Sequence, residues 1–584
     1  MTQAAVASTV RQGLVGVAAV GVFAFSWFFR FNDPSGSFAG LTDDHFFYVV
    51  RGWQILFGDL PVRDFVDHGA PLHYYVAAAV QWLFGRGTAS ELVFSTTALA
   101  LGAALTFCLA ARASGSIWAG LAASAFHIWL GPRFYNYPKI LVYTAAIPAL
   151  WWFADSPGPR PRLWIAVVTV LGLLFRHDHG VYVAVGMAAL LLCLRGLSRR
   201  ERARHGLTYA ALVLAFSAPY LVFVQWNGGI RNYVSQASEW AAHDRERAPV
   251  IWPGLFDNPD GESEEARLSA GVEHAVAVVR DNRIAWLYYL EIALPVLAAG
   301  VLLLSGSAFR PTWPEARAKL AVTAVLMATL DAGFLRSPLE ARLADTAVPF
   351  TILLAWLAVA VPSLLARPYL WLPLAIRHRW TLGGLAMVVW VAIVLMIGVI
   401  VTRDYGLRLE KAVMDRGVDT MLGRTGAVVE RLRQDWDLST WASRDDRPDL
   451  ITLSMYVNAC TAPTDRILIS AYVPQVLALA QRGFGGGHAD LRPGFFESEA
   501  AQSLTVARMQ RQSVPIVLLD TDTSLELFRR SFPLVSAEID ARYVAAATHV
   551  FDERFGMTLF ARRDLTATSI WQPLGWPCFS PRTN

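Results

Sequence analysis

Apolar residues run in long, nearly uncharged blocks from the amino-terminus to about residue 402, and beyond that point the blocks shorten and charge returns. The blocks lie at 12–29, 91–111, 116–131, 139–154, 162–176, 180–194, 207–225, 284–305, 317–335, 346–366 and 381–402. A bilayer core of about 30 Å takes roughly 20 apolar residues in helical form. About eleven transmembrane helices are therefore expected. The stretch Pro71 to Phe84 is apolar over only about 14 residues, which suits an interfacial or re-entrant helix. Residues 43–57 read as a short amphipathic helix ended by Gly58 and Pro61.

Past residue 402 the pattern changes period. Arg466 to Ala471, Val514 to Leu519 and Gly556 to Ala561 are β-rich runs, and helical patterns at 473–482 and 498–511 lie between them. Strands alternating with helices indicate an α/β domain. The expected architecture is a polytopic α-helical membrane protein. Residues 1–402 form its transmembrane domain, with outer loops at 30–90 and 226–283, and residues 403–584 form a carboxy-terminal extracytoplasmic α/β domain.

Composition agrees with the pattern. Of 584 residues, 54% are hydrophobic and only 17% charged, against about 25% charged in soluble domains. A net charge of +4 is too small to argue for nucleic-acid binding. The placement of the cations says more. Arg160 and Arg162, the group Arg195, Arg199, Arg200, Arg202 and Arg204, then Arg310, Arg317 and Lys319, and finally Arg367, Arg377 and Arg379 fall in alternate loops. The positive-inside rule assigns those loops to the cytoplasm. The amino-terminus is then inside and the carboxy-terminal domain outside the plasma (inner) membrane. The first apolar block lacks a small-residue cleavage site before Arg30-Phe31-Asn32-Asp33-Pro34 and is expected to be retained.

Cys108 and Cys193 fall in spans and read as small hydrophobes. Cys460 and Cys578 share the outer domain, where an oxidising compartment permits a bond; two buried thiols are the alternative. No Cys/His spacing suggests zinc. No cofactor is expected, a divalent metal being left open.

Candidate chemistry gathers at the outer ends of the spans. Asp43-Asp44-His45 opens the first outer loop, where an acid either caps the helix that follows or faces a site. Asp64, Asp67, His68 and His73 crowd a Gly- and Pro-containing stretch that leads into Tyr74 and Tyr75. This is a solvated loop or an interfacial substrate groove, a depth that aromatic residues favour. Arg176-His177-Asp178-His179 breaks an apolar run, as a tight polar turn or as a holder of a lipid-linked phosphate. Arg133, Lys139, Arg176, Arg336 and Arg342 breach the positive-inside tendency, which implies an anionic partner unless each simply snorkels. Glu291 and Asp331 lie inside spans, where pairing with a cation is the simpler reading. Arg482-Gly483-Phe484-Gly485-Gly486-Gly487-His488 follows a helix rather than a strand and reads as a flexible loop.

One span, an outer loop opening on Asp43-Asp44, then Gly58-Asp59-Leu60-Pro61, then Pro71-Leu72-His73-Tyr74-Tyr75, resembles the GT-C superfamily of membrane glycosyltransferases. The closest branch is that of the protein O-mannosyltransferases and the lipid A aminoarabinose transferase. This chain departs from it at Ala70 before Pro71, in its Asp-Asp pair, and in having Lys139 and Tyr143 where a second acid is usual. The resemblance implies transfer of a sugar from a polyprenyl-phosphate donor to an envelope acceptor, with inversion and a carboxylate general base. It implies catalytic Asp43 or Asp44, with Asp44 favoured. Substrate contacts are expected from His45, Asp67, His68, Tyr74, Lys139, Arg176, His177, His179, Arg336 and Arg342. A polytopic transporter and a non-catalytic envelope assembly protein are the competing classes. The transporter is disfavoured by ionisable residues at span ends rather than at the midplane.

Overall fold

Uninterrupted apolar blocks leave the backbone one way to satisfy its amides in lipid, which is helix. The computed structural model describes residues 3–32, 43–246, 252, 254–255, 282–304, 315–335, 340–365, 448–521, 525–552 and 555–579. Its helices in order are α1 (Gln3–Asn32), α2 (Asp43–Leu56), α3 (Pro71–Phe84), α4 (Thr88–Ser114), α5 (Ile117–Leu130), α6 (Tyr137–Asp155), α7 (Pro159–Phe175), α8 (His177–Cys193), α9 (Arg199–Asn227), α10 (Ile230–Glu246), α11 (Arg283–Leu304), α12 (Ala316–Phe334) and α13 (Ala347–Leu365). Helices occupy ten of the eleven expected stretches, and the eleventh, 381–402, lies outside the described residues. Among the described residues, five helices are long and apolar enough to cross a membrane, in α1, α4, α9, α11 and the stretch Ala344–Pro362.

The described residues of Met1–Ser37, Ser95–Ser217 and Ala248–Arg424 form one unit, an all-helical one. Its boundaries follow from local chemistry. Ser116 caps α5 by accepting from the Ala119 amide at 3.2 Å, and Gly131 ends it in the left-handed region at φ +63. A single extended residue, Arg176, joins α7 to α8. That joint holds because Gly172 lies against Gly180: a Cβ on Gly180 would sit 2.5 Å from the Leu173 amide nitrogen. Lys319, fully buried, is neutralised by Asp155, as burial of an ammonium requires.

The second unit comprises the described residues of Phe38–Phe94, Ala218–Arg247 and Thr425–Asn584. The first outer loop therefore belongs to the same body as the carboxy-terminal residues. That part contains α14 (Pro448–Cys460), β1 (Arg466–Ile469), α15 (Pro474–Ala480), β2 (Gly483–Phe484), α16 (Glu499–Arg511), β3 (Ile516–Asp520), α17 (Leu525–Ser531), α18 (Pro533–Arg542), β4 (Tyr543–Asp552), β5 (Phe555–Arg562), β6 (Ser569–Trp571) and β7 (Trp576–Cys578). The main sheet runs β2-β1-β3-β5-β4, with β1 parallel to both β2 and β3, and β5 antiparallel to β3 and β4. The three strands expected from the sequence are β1, β3 and β5. Strand β4 was missed, because Tyr543–Asp552 contains an Ala-rich stretch with little β signal.

One apolar core runs through this unit. Val50, Trp53, Phe65 and Tyr74 from the outer loop pack with Ile467, Ile469, Leu477 and Phe484 from the α/β part. Cys460 and Cys578 are disulfide-bonded with Cα atoms 4.5 Å apart, inside the range such bonds require.

Candidate active site

The acid pair sits in the first turn of α2. The side chain of Asp43 lies outside the described residues. Asp44 is half-buried, and its Oδ1 accepts a hydrogen bond from the Tyr472 hydroxyl at 2.7 Å. Tyr472 belongs to the loop that leaves β1. The guanidinium of Arg492 stands 4.5 Å from the centre of the Tyr472 ring and donates to Asp490 Oδ2 at 2.7 Å. A row Asp44–Tyr472–Arg492–Asp490 thus joins the outer loop to the α/β part within one body.

Arg51 lies beneath this row, two turns along α2 from Asp44. It is wholly buried, with its guanidinium 3.3 Å from the centre of the Phe47 ring and donating to the Phe47 carbonyl at 3.0 Å. Desolvation lowers its pKa, and Tyr74 and Asp490 oppose that. His68 is half-buried between the rings of Phe47 and Phe496. Desolvation holds its pKa well below the usual histidine value, assisted by Arg51, His488 and Arg492, so its imidazole is neutral. Phe496 also contacts His488, and its backbone is held at φ +59. A bulky residue in that region is an outlier and is held there by its surroundings.

Several expected contacts turn out to be fold-forming. Asp67 is buried, and its Oδ1 accepts from the Gly69 and Ala70 amides at 2.8 and 3.0 Å. Its Oδ2 accepts from the hydroxyls of Tyr220 and Tyr233. Two bonds on each oxygen fill the carboxylate's acceptor positions. Tyr74 is fully buried and accepts from the His68 amide at 3.3 Å. His45 is buried with Nε2 3.5 Å from Glu91 Oε2. Both side chains are buried. The 482–488 stretch is tied into the fold by its amides. Its Phe484, Gly485 and Gly486 amides donate to Gln54 Oε1, the Ile467 carbonyl and Gln512 Oε1, so none of the three is free for a phosphate.

In the helical unit, Lys139 reaches Asp345 Oδ2 at 2.6 Å, and Asn136 donates to the other oxygen at 3.0 Å. Arg176 pairs with Asp178 at 3.1 Å, both partly exposed, and the Asp178 carboxylate accepts from the His179 amide at 3.0 Å. Buried His179 meets the Tyr143 hydroxyl through Nδ1. Arg176, Asp178 and Asp345 all lie within electrostatic range of Lys139, so two of the expected cations are brought together, each beside a carboxylate of its own. His177 and Arg342 are half-buried. Arg336 lies outside the described residues. Among the described residues, the ionisable groups that act on buried Glu291 are the carboxyls of Asp331 and Asp345, in place of the cation the sequence suggests.

Sequence reading missed Arg51, Tyr472, Asp490, Arg492 and Glu91. Arg51 alone carried a signal, as a cation within an apolar helical pattern. Nothing local marks Tyr472, whose importance depends on what α2 brings to it. Among the described residues, no group of three or more His, Cys, Asp or Glu side chains is placed to hold a metal ion.

No family model matches the chain, and no curated protein matches it. Similar solved structures include ArnT from Cupriavidus metallidurans bound to undecaprenyl phosphate, 14% identical over 94% of this chain and 98% of that one, with a TM-score of 0.44. Another is the Archaeoglobus fulgidus oligosaccharyltransferase in complex with Zn and sulfate, 13% identical over 96% of this chain and 75% of that one, with a TM-score of 0.43.

Proposed function

We propose that this protein transfers a sugar from a polyprenyl-phosphate donor to an acceptor of the cell envelope, at the outer face of the membrane, with Asp44 as general base. The observation that carries the reading is Asp44 itself. Its half-buried carboxylate stands in the first turn of α2, near the end of the first apolar helix in sequence, and is hydrogen-bonded to Tyr472 beside the cations Arg51 and Arg492. The sequence resemblance of Asp43-Asp44 and the segments that follow points to the same reaction class.

The chemistry suits those residue types. The acceptor hydroxyl gives its proton to the carboxylate as its oxygen attacks the anomeric carbon. The bond from that carbon to the phosphate oxygen breaks, and the lipid phosphate leaves with both electrons. A direct displacement of this kind inverts the anomeric centre. Cations near the leaving group stabilise the charge that develops on it.

The test is turnover by the full chain in detergent or liposomes, read as loss of radiolabelled sugar from undecaprenyl phosphate. Asp44→Asn keeps shape and removes the proton acceptor, and turnover is expected to fall by about 10²–10⁴-fold with donor binding retained. Near-normal turnover by Asp44→Asn removes Asp44 from the mechanism.

A further inference from the structure

In open α/β sheets, ligands gather outside the carboxyl ends of the parallel strands. Here that edge belongs to β1, β2 and β3. The chain leaving β1 carries Tyr472, and the chain leaving β2 carries His488, Asp490 and Arg492. Helix α2 packs against α15, the helix that follows Tyr472, and its first turn brings Asp44 to this edge. The Phe47 and Tyr472 rings, 6.2 Å apart, line the same approach.

We propose that Tyr472 is a positioning residue for the Asp44 carboxylate, so that the carboxy-terminal domain sets the geometry of the acid carried by the first outer loop. The role rests on the reading of Asp44 as general base. Tyr472 acts through the carboxylate. Its hydroxyl holds Oδ1 at 2.7 Å and thereby fixes the direction of Oδ2. Arg492 over the ring face strengthens the phenol as a donor, and the Asp490 carboxylate holds Arg492 in place. Among the described residues, Asp490 and Arg492 from the α/β part and Arg51 from α2 are ionisable groups that act on Tyr472 beside Asp44. In the transfer step the proton moves from the acceptor hydroxyl to Asp44. Tyr472 keeps its own proton throughout.

The experiment compares the wild-type full chain with Tyr472→Phe, and with the same chain carrying 3-fluorotyrosine at position 472. The readout is turnover of an undecaprenyl-phosphate-linked sugar. Tyr472→Phe, which removes only the hydroxyl, is expected to lower kcat about 10-fold with KM within about twofold, the mark of an interaction used in the transition state. 3-Fluorotyrosine, which keeps a hydroxyl at position 472, is expected to hold kcat within about twofold of wild type. An unchanged kcat in Tyr472→Phe overturns the proposal, and so does a loss that 3-fluorotyrosine shares, since that follows from disturbed packing of the ring. If Asp44→Asn abolishes turnover while Tyr472→Phe keeps the wild-type kcat, the positioning role fails alone. If Asp44→Asn turns over normally, the general-base reading fails and the positioning role fails with it.

Discussion

His488 shows what burial among cations does to a single side chain. Its ring is almost fully enclosed, with Nε2 2.8 Å from the Thr505 hydroxyl. Desolvation, then Arg508 and Arg51, lower its pKa from 6.5 to about 3. A folded-state pKa below the unfolded one means that the unfolded chain takes up the proton first. The stability from neutral His488 is therefore complete above about pH 6.5 and is lost as pH falls through the window from 6.5 toward 3. The slope is about 1.4 kcal/mol per pH unit while only the unfolded state is protonated. His488→Gln keeps a polar partner for Thr505 and removes the titration. Hydrogen exchange of the β1 and β3 amides is expected to show a shallower acid dependence in that variant, by about that slope. The depressed pKa of His68 adds a second, independent contribution of the same sign. Asp67 instead acts through hydrogen bonds, which tie Tyr220 and Tyr233 to the first outer loop.

The carboxy-terminal elements are joined end to end by a covalent link. Cys460 ends α14 and Cys578 ends β7, and the bond closes 118 residues. Tyr456, one turn before Cys460, packs edge-on to Trp576 at 5.0 Å and donates to the Pro577 carbonyl at 2.7 Å. Removing the link by Cys460→Ala with Cys578→Ala keeps that aromatic contact and restores the loop entropy of the unfolded chain. The expected cost is about 2–5 kcal/mol. It would be measured as a lower urea midpoint for proteolytic cleavage in the region 448–579, matched by wild type under reductant. An unchanged midpoint under both treatments would show that the apolar core alone sets the stability of these elements. The same scale shows why α3 stops where it does. It is 14 residues long and buries Tyr74, Ala77 and Ala78 on one side while exposing Trp82, Leu83 and Phe84 at its end.

At the scale of the whole molecule, the distribution of arginine predicts orientation. The arginine-dense loops face the cytoplasm and residues 403–584 face outward if the positive-inside rule governs this chain. Single cysteines introduced into Cys108→Ala, Cys193→Ala protein test this with a membrane-impermeant thiol reagent. Labelling is expected in intact cells at position 564 and absent at position 200. The reverse pattern would place the candidate site on the cytoplasmic side and remove the envelope acceptor from the proposal. Exposed apolar side chains along α1 and α9, such as Val17, Val20, Leu207 and Leu214, fit helices with a lipid-facing surface.

Much of the fold was legible because its cause is local. A run of apolar residues long enough for a bilayer forms a helix wherever it falls, so ten stretches were placed from hydropathy alone. Strands β1 and β3 announced themselves by Ile and Val, and β5 by Thr, Leu and Phe. The acid pair at 43–44 and the cation clusters were visible as charge where charge is costly. What each of those residues does was decided by distant partners. Asp44 became a candidate base, and Asp67 a structural anchor, through Tyr472 in one case and Tyr220 with Tyr233 in the other. Those partners stand 428, 153 and 166 positions away. The glycine-rich stretch at 483–487 reads as loose in isolation and is hydrogen-bonded in the fold, where Gln54, Ile467 and Gln512 take its amides. Hydrophobic period is written into neighbouring residues and survives without the rest of the chain. The occupancy of a carboxylate's lone pairs is set only when folding brings remote donors within about 3 Å.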